Sequence, residues 1–323
     1  MRYLTVALIL CVAALPLRSL AAAETYPPVT LEGTQQRDMT ASGSGETFRI
    51  FIRKPQVQAP EGGYPVVYAI GANANFLTFV NLMRTGAENP LHPNLEAAII
   101  VGIGFPTGKA YDVKRWIHDF TLPAESYDLP ERPNGKPWPP MGGADETLDF
   151  IENDLKPAIE RDFEVDASKE ILFGHSFGGL FTLHTLFTRP GLFDTYLAAS
   201  PSVWFNEGQI MGELESFVSD PPEDAGDKRL VVGVGGLEKS GFGKMKKEKG
   251  ASAQSESAES EEAAGDGMIA NAETVVGVLQ KRLPALKTEL RIFPEENHGT
   301  VLPVFIMKVL PDALPVEKPR SRP

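Results

Sequence analysis

Residues 171–178 read Ile-Leu-Phe-Gly-His-Ser-Phe-Gly, an apolar β-type run that breaks into glycine, serine and glycine before a helical pattern begins at Gly179. Few backbone paths accommodate that order. Gly174 and Gly178, two residues to either side of Ser176, leave room for a strand-to-helix turn so tight that the serine backbone enters sparsely populated space. Its hydroxyl then stands clear of the chain. A hydroxyl is a weak nucleophile at neutral pH, so a serine displayed this way implies a base, and a group that orients the base, supplied from elsewhere in the fold.

The surrounding pattern says what kind of fold that is. Apolar, β-branched runs occur at 48–52, 65–70, 97–103, 171–173, 194–199, 230–234 and 290–293, several of them continuous, as strands covered on both faces require. Helical spacing lies between them, clearest over 144–162, where Leu148, Ile151, Leu155 and Ile159 recur three and four apart, and again over 268–283. Strands alternating with helices predict an α/β domain with a mainly parallel sheet and helices on both faces. Residues 122–143 hold six prolines, from Pro123 to Pro140, and are expected to form a long ordered loop.

The ends and one internal stretch stand apart. An apolar run from Leu4 to Leu17, closed by Arg18 and followed by Ala21-Ala22-Ala23, reads as a signal peptide over 1–23, with a retained anchor as the alternative. It predicts export to a periplasmic or secreted location and no stable membrane insertion once it is removed. Cys11, the only cysteine, lies in this leader, so the remaining chain has no thiol for a disulfide or a metal. Losing Arg2 and Arg18, with no acid lost, moves the net charge from −12 to −14 and disfavours nucleic acid as a partner. The domain is expected over 24–314. It is interrupted at 240–266 by a Lys-rich then Ser/Ala/Glu-rich insertion expected to be disordered, whose protein partner is left open, and followed by a disordered tail at 315–323.

Five histidines are available as the base. His298 follows the last strand-like run and is the expected one; His175 should point away from the site, and His184 should be a packed or surface residue of the helix after the serine. The acid should follow the penultimate strand, where Gly235-Gly236-Leu237-Glu238 offers Glu238, with Asp220, Asp224 and Asp227 as alternatives. Two backbone N–H groups should face the developing oxyanion: that of Phe177, and one from the loop Gly71-Ala72-Asn73, of which Ala72 is expected.

With those residues in view, the chain resembles the putative-esterase family of α/β-hydrolases, and within it the siderophore trilactone esterases of the enterobactin and bacillibactin type. The resemblance lies in Gly142-Gly143-Ala144-Asp145, Phe173 to Phe181, Ala199-Ser200-Pro201-Ser202-Val203-Trp204, and Arg115 to Thr121. It implies serine-dependent hydrolysis of a small-molecule carboxylic ester through an acyl-enzyme, without cofactor or metal, and places Arg115 and Trp204 near the substrate. Arg115 pairing with Asp119 and Trp204 packing in a loop are the structural alternatives. Gly71-Ala72 stands where the family usually has Asp-Gly. An acyltransferase with the same triad, or an inactive binding protein of the same fold, is the competing reading.

Overall fold

The computed structural model describes residues 26–132, 135–238 and 265–316. The expected signal peptide, residues 240–264 of the expected insertion and residues 317–323 of the expected tail lie outside the described residues. Gly265 and Asp266, expected in the insertion, instead open a helix.

The described residues from Glu32 onward form one compact unit built on an eight-stranded sheet ordered β1-β2-β4-β3-β5-β6-β7-β8. Its strands are β1 (Thr34–Thr40), β2 (Thr47–Arg53), β3 (Tyr64–Ile70), β4 (Ile99–Gly104), β5 (Val165–His175), β6 (Thr195–Ala199), β7 (Arg229–Gly235) and β8 (Lys287–Phe293). β2 runs antiparallel to both its neighbours, and every pairing from β4 to β8 is parallel. All residues of β3 and β4 are buried, which is why those segments read as uninterrupted apolar runs.

The main helices are α1 (Ala72–Leu82), α2 (Val113–Asp119), α3 (Ala144–Phe150), α4 (Lys156–Asp162), α5 (Phe177–Thr188), the short α6 (Phe205–Gly208), α7 (Ile210–Ser219), α8 (Gly265–Arg282) and α9 (Val301–Ala313). The single helix expected over 144–162 is two helices joined by a π turn at Ile151–Leu155, so its apolar stripe shifts partway along without leaving the core. The proline-rich loop carries neither helix nor strand among its described residues and is tied down by Trp138 Nε1 donating to the Pro130 carbonyl at 2.9 Å and Gln209 Nε2 to the Pro123 carbonyl at 2.8 Å. Among the described residues no helix is long and apolar enough to cross a membrane.

α5 is buried along all but its last residue, and His184 joins it to two neighbours. Nδ1 lies 2.8 Å from Glu213 Oε2 on α7, and Nε2 lies 3.1 Å from Asp145 Oδ1 on α3. Two carboxylate acceptors require both ring nitrogens to donate, so the ring is an imidazolium. Burial alone would lower its pKa, but the two carboxylates outweigh burial and raise it to about 9. A raised folded-state pKa gives stability that is complete below the unfolded value near 6.5 and is lost as pH climbs through 9. Wild-type protein should therefore lose up to about 3 kcal/mol between those pH values. Urea unfolding of His184→Gln across the same window should be nearly flat; an equal slope in both proteins would remove His184 as its source.

Candidate active site

The strand-to-helix turn forms as the glycine spacing requires. β5 ends at His175, α5 begins at Phe177, and Ser176 between them has φ 59° and ψ −119°, a conformation that costs a non-glycine residue about 1–3 kcal/mol. It is held by Ser176 N–H donating to the Ala199 carbonyl at 3.0 Å and by Ser202 N–H donating to the Ser176 carbonyl at 3.1 Å. A methyl group at Gly174 would stand 1.9 Å from the Gly178 carbonyl oxygen, so the turn closes only without a side chain there.

Glu238 lies three residues past β7 and is 2% exposed. One carboxylate oxygen, Oε2, lies 2.8 Å from His298 Nδ1. The other, Oε1, accepts the Ser200 hydroxyl at 2.6 Å and the Gly235 N–H at 2.7 Å. A carboxylate facing Nδ1 fixes the proton on that nitrogen and leaves the Nε2 lone pair available. Asp220, Asp224 and Asp227 all precede β7, at the opposite end of the strand, and Asp224 pairs with Lys228 at 3.4 Å; geometry leaves them no part in the site.

His175 departs from expectation. Its ring does not point away but packs at a tilt against that of His298, with centroids 4.6 Å apart, and its Nε2 donates to the His298 carbonyl at 2.8 Å. Burial, and then the charge His298 can carry, lower the His175 pKa to about 3 against the opposing effect of that backbone bond, so it remains a neutral donor. His298 is thus held by Glu238 at one nitrogen and by His175 at its ring face and backbone. The Ser176 hydroxyl, among the described residues, has its hydrogen-bond contact with Ser202 Oγ at 3.4 Å; a turn about χ1 would redirect it, and nucleophile–base contacts commonly tighten only when substrate binds.

Ala72 and Phe177 are the first residues of α1 and α5, where a backbone N–H has no acceptor within its own helix and the helix dipole favours negative charge. Trp204 lies against Phe177, ring centroids 5.8 Å apart. Trp116 was not singled out from sequence, yet its ring fills the space beside Gly71 (φ 76°), where a methyl group would come within 2.4 Å of it. The Arg115 guanidinium pairs with Asp119 at 2.7 Å and Glu46 at 2.8 Å and packs between the rings of Phe48 and Phe105, so the expected pairing with Asp119 is present. Ser200 and Ser202 were also missed as individuals, although their position directly after β6 puts them at the sheet edge that carries Ser176 and Glu238.

A mostly parallel eight-stranded sheet in this order, with a serine at the β5–α5 turn and helices around it, is the α/β-hydrolase fold. Residues 42–267 match the family described as "Putative esterase", and the chain belongs to that family. It is 35% identical over 293 residues to the ferri-bacillibactin esterase BesA of Bacillus subtilis, covering 90% of this chain and 92% of that protein. Among solved structures it superposes on the BES protein of Bacillus cereus with a TM-score of 0.74 and 32% identity, over 90% of this chain and all of that one (100%). The siderophore hydrolase EstA of Aspergillus nidulans gives 0.73 and 28%, over 90% and 97% of the two chains. The protein is a serine ester hydrolase.

Proposed function

We propose that the protein is exported and cleaves the ester bonds of siderophores through a triad of Ser176, His298 and Glu238. The observation that carries this reading is the 2.8 Å contact between the buried Glu238 carboxylate and His298 Nδ1, the contact by which a triad acid orients its base. Ser176 Oγ attacks the ester carbonyl and gives its proton to Nε2. Glu238 stabilises the imidazolium, and the Ala72 and Phe177 N–H groups receive the oxyanion. The intermediate collapses, His298 protonates the leaving alcohol, and water activated by the same base releases the acyl group.

Two relatives named for bacillibactin and siderophore hydrolysis support the substrate class. Ferric catecholates are anionic, and the charge of Arg115 is compensated by Glu46 and Asp119. Recognition therefore falls to aromatic surface, with Trp204 packed on Phe177, the residue after the nucleophile. The leader at 1–23 would deliver the enzyme outside the cytoplasm, its mature chain beginning at Glu24.

The test is covalent labelling with an alkyl fluorophosphonate, mapped by peptide mass, followed by a panel of ferric and metal-free trilactones beside simple aryl esters. The expected outcome is an adduct on Ser176, absent in His298→Ala, and a higher kcat/KM for trilactones than for aryl esters. Labelling with no turnover of any siderophore ester would retain the triad and discard the substrate class.

A further inference from the structure

The segment leaving β6, Ala199-Ser200-Pro201-Ser202, touches the nucleophile at one end and the acid at the other. Ser200 is wholly buried, and its φ of 40° is a left-handed value that serine seldom adopts. Its N–H donates to the Gly233 carbonyl at 2.6 Å and its hydroxyl to Glu238 Oε1 at 2.6 Å. Two residues on, Ser202 is 2% exposed; its N–H holds the Ser176 carbonyl at 3.1 Å and its hydroxyl lies 3.4 Å from Ser176 Oγ.

We propose that this turn braces the catalytic centre, with Ser200 as a positioning residue that acts through Glu238 and never touches substrate; the proposal rests on the triad assigned above. A glutamate carboxyl turns easily about its last torsion, whose preferences are broad. With only Oε2 engaged by His298, the group could rotate and carry the imidazole with it. The Ser200 hydroxyl and the Gly235 N–H pin Oε1 from two directions, and charge-assisted bonds of this kind are among the stronger ones in a buried site. The backbone at Ser200 points the same way. Glycine would hold φ 40° with less strain, so a serine kept there in a strained conformation is explained by what its hydroxyl does.

Two variants separate the backbone from the hydroxyl. Ser200→Gly relieves the strain and Ser200→Ala keeps it, while both delete the donor to Glu238. Both should lower kcat roughly 10- to 100-fold, the range for losing a hydrogen bond to a charged group, with KM within about twofold. The glycine variant should melt no lower than wild type. In a Glu238→Gln background, adding Ser200→Gly should cost less than about another twofold, because the residue it acts through is already altered. Wild-type kcat in Ser200→Gly, or a loss that adds in full to that of Glu238→Gln, overturns the proposal while the triad stands. Wild-type kcat together with wild-type stability in Glu238→Gln alone overturns the triad assignment and this inference with it.

Discussion

Replacing Ser176 with alanine is expected to lower kcat on any ester by roughly 10⁵- to 10⁶-fold, the scale seen when the nucleophile of a serine triad is removed. The fold should not register the change. The hydroxyl makes a 3.4 Å contact with Ser202 Oγ, while the turn is held by backbone bonds to Ala199 and Ser202 and by the glycine at 174, all of which an alanine retains. Residual rate should come from the Ala72 and Phe177 N–H groups and from binding alone. Steady-state kinetics, with melting followed by circular dichroism, checks both halves. A loss smaller than tenfold in a normally folded variant would move the nucleophile to another residue.

Glu238→Gln is expected to lower kcat by roughly 10³- to 10⁴-fold with little change in KM. Three donors converge on the carboxylate, from Ser200, Gly235 and His298, and an amide of the same shape offers one acceptor oxygen and two donors of its own. If the oxygen stays with Ser200 and Gly235, the amide nitrogen faces His298 Nδ1 and favours the tautomer with the proton on Nε2, which cannot accept one from Ser176. If the amide turns over, His298 keeps its tautomer but two buried donors lose their acceptor, at about 1–3 kcal/mol each. Activity, stability or both must fall, and kinetics set beside urea unfolding tells which orientation the amide takes. A variant within tenfold of wild type in kcat and no less stable would mean that Ser176 and His298 suffice as a pair.

Sequence made the interior plain and the margins obscure. β3, β4, β6 and β7 are covered on both faces, so their apolar runs are continuous and could be read directly. β1, Thr-Gln-Gln-Arg-Asp-Met-Thr, lies at the edge of the sheet with no residue fully buried; it pairs through its backbone with β2 and leaves no hydrophobic pattern to detect. The first half of β5 and the start of β8 are polar for a related reason, and the expected strands began several residues late. At the proposed site, Ser176, Glu238 and His298 could be picked out because each follows the C-terminal end of a parallel strand. Orientation could not: whether Arg115 faces substrate or Asp119, or whether His175 turns toward His298, depends on neighbours more than sixty residues away in the chain.

The three proposed catalytic side chains leave the ends of β5, β7 and β8, and among the described residues β8 pairs only with β7, at the far edge of the sheet. None can be aligned with the others until that half of the sheet is assembled, and parallel strands are slow to join because long loops must close first. During refolding, esterase activity therefore reports on the assembly of that half of the sheet. Helix content and core burial can return while β8 is still unpaired, but turnover cannot return until His298 docks. A clock started by the first signal of compaction and stopped by the first hydrolysed ester would time the closing of that edge.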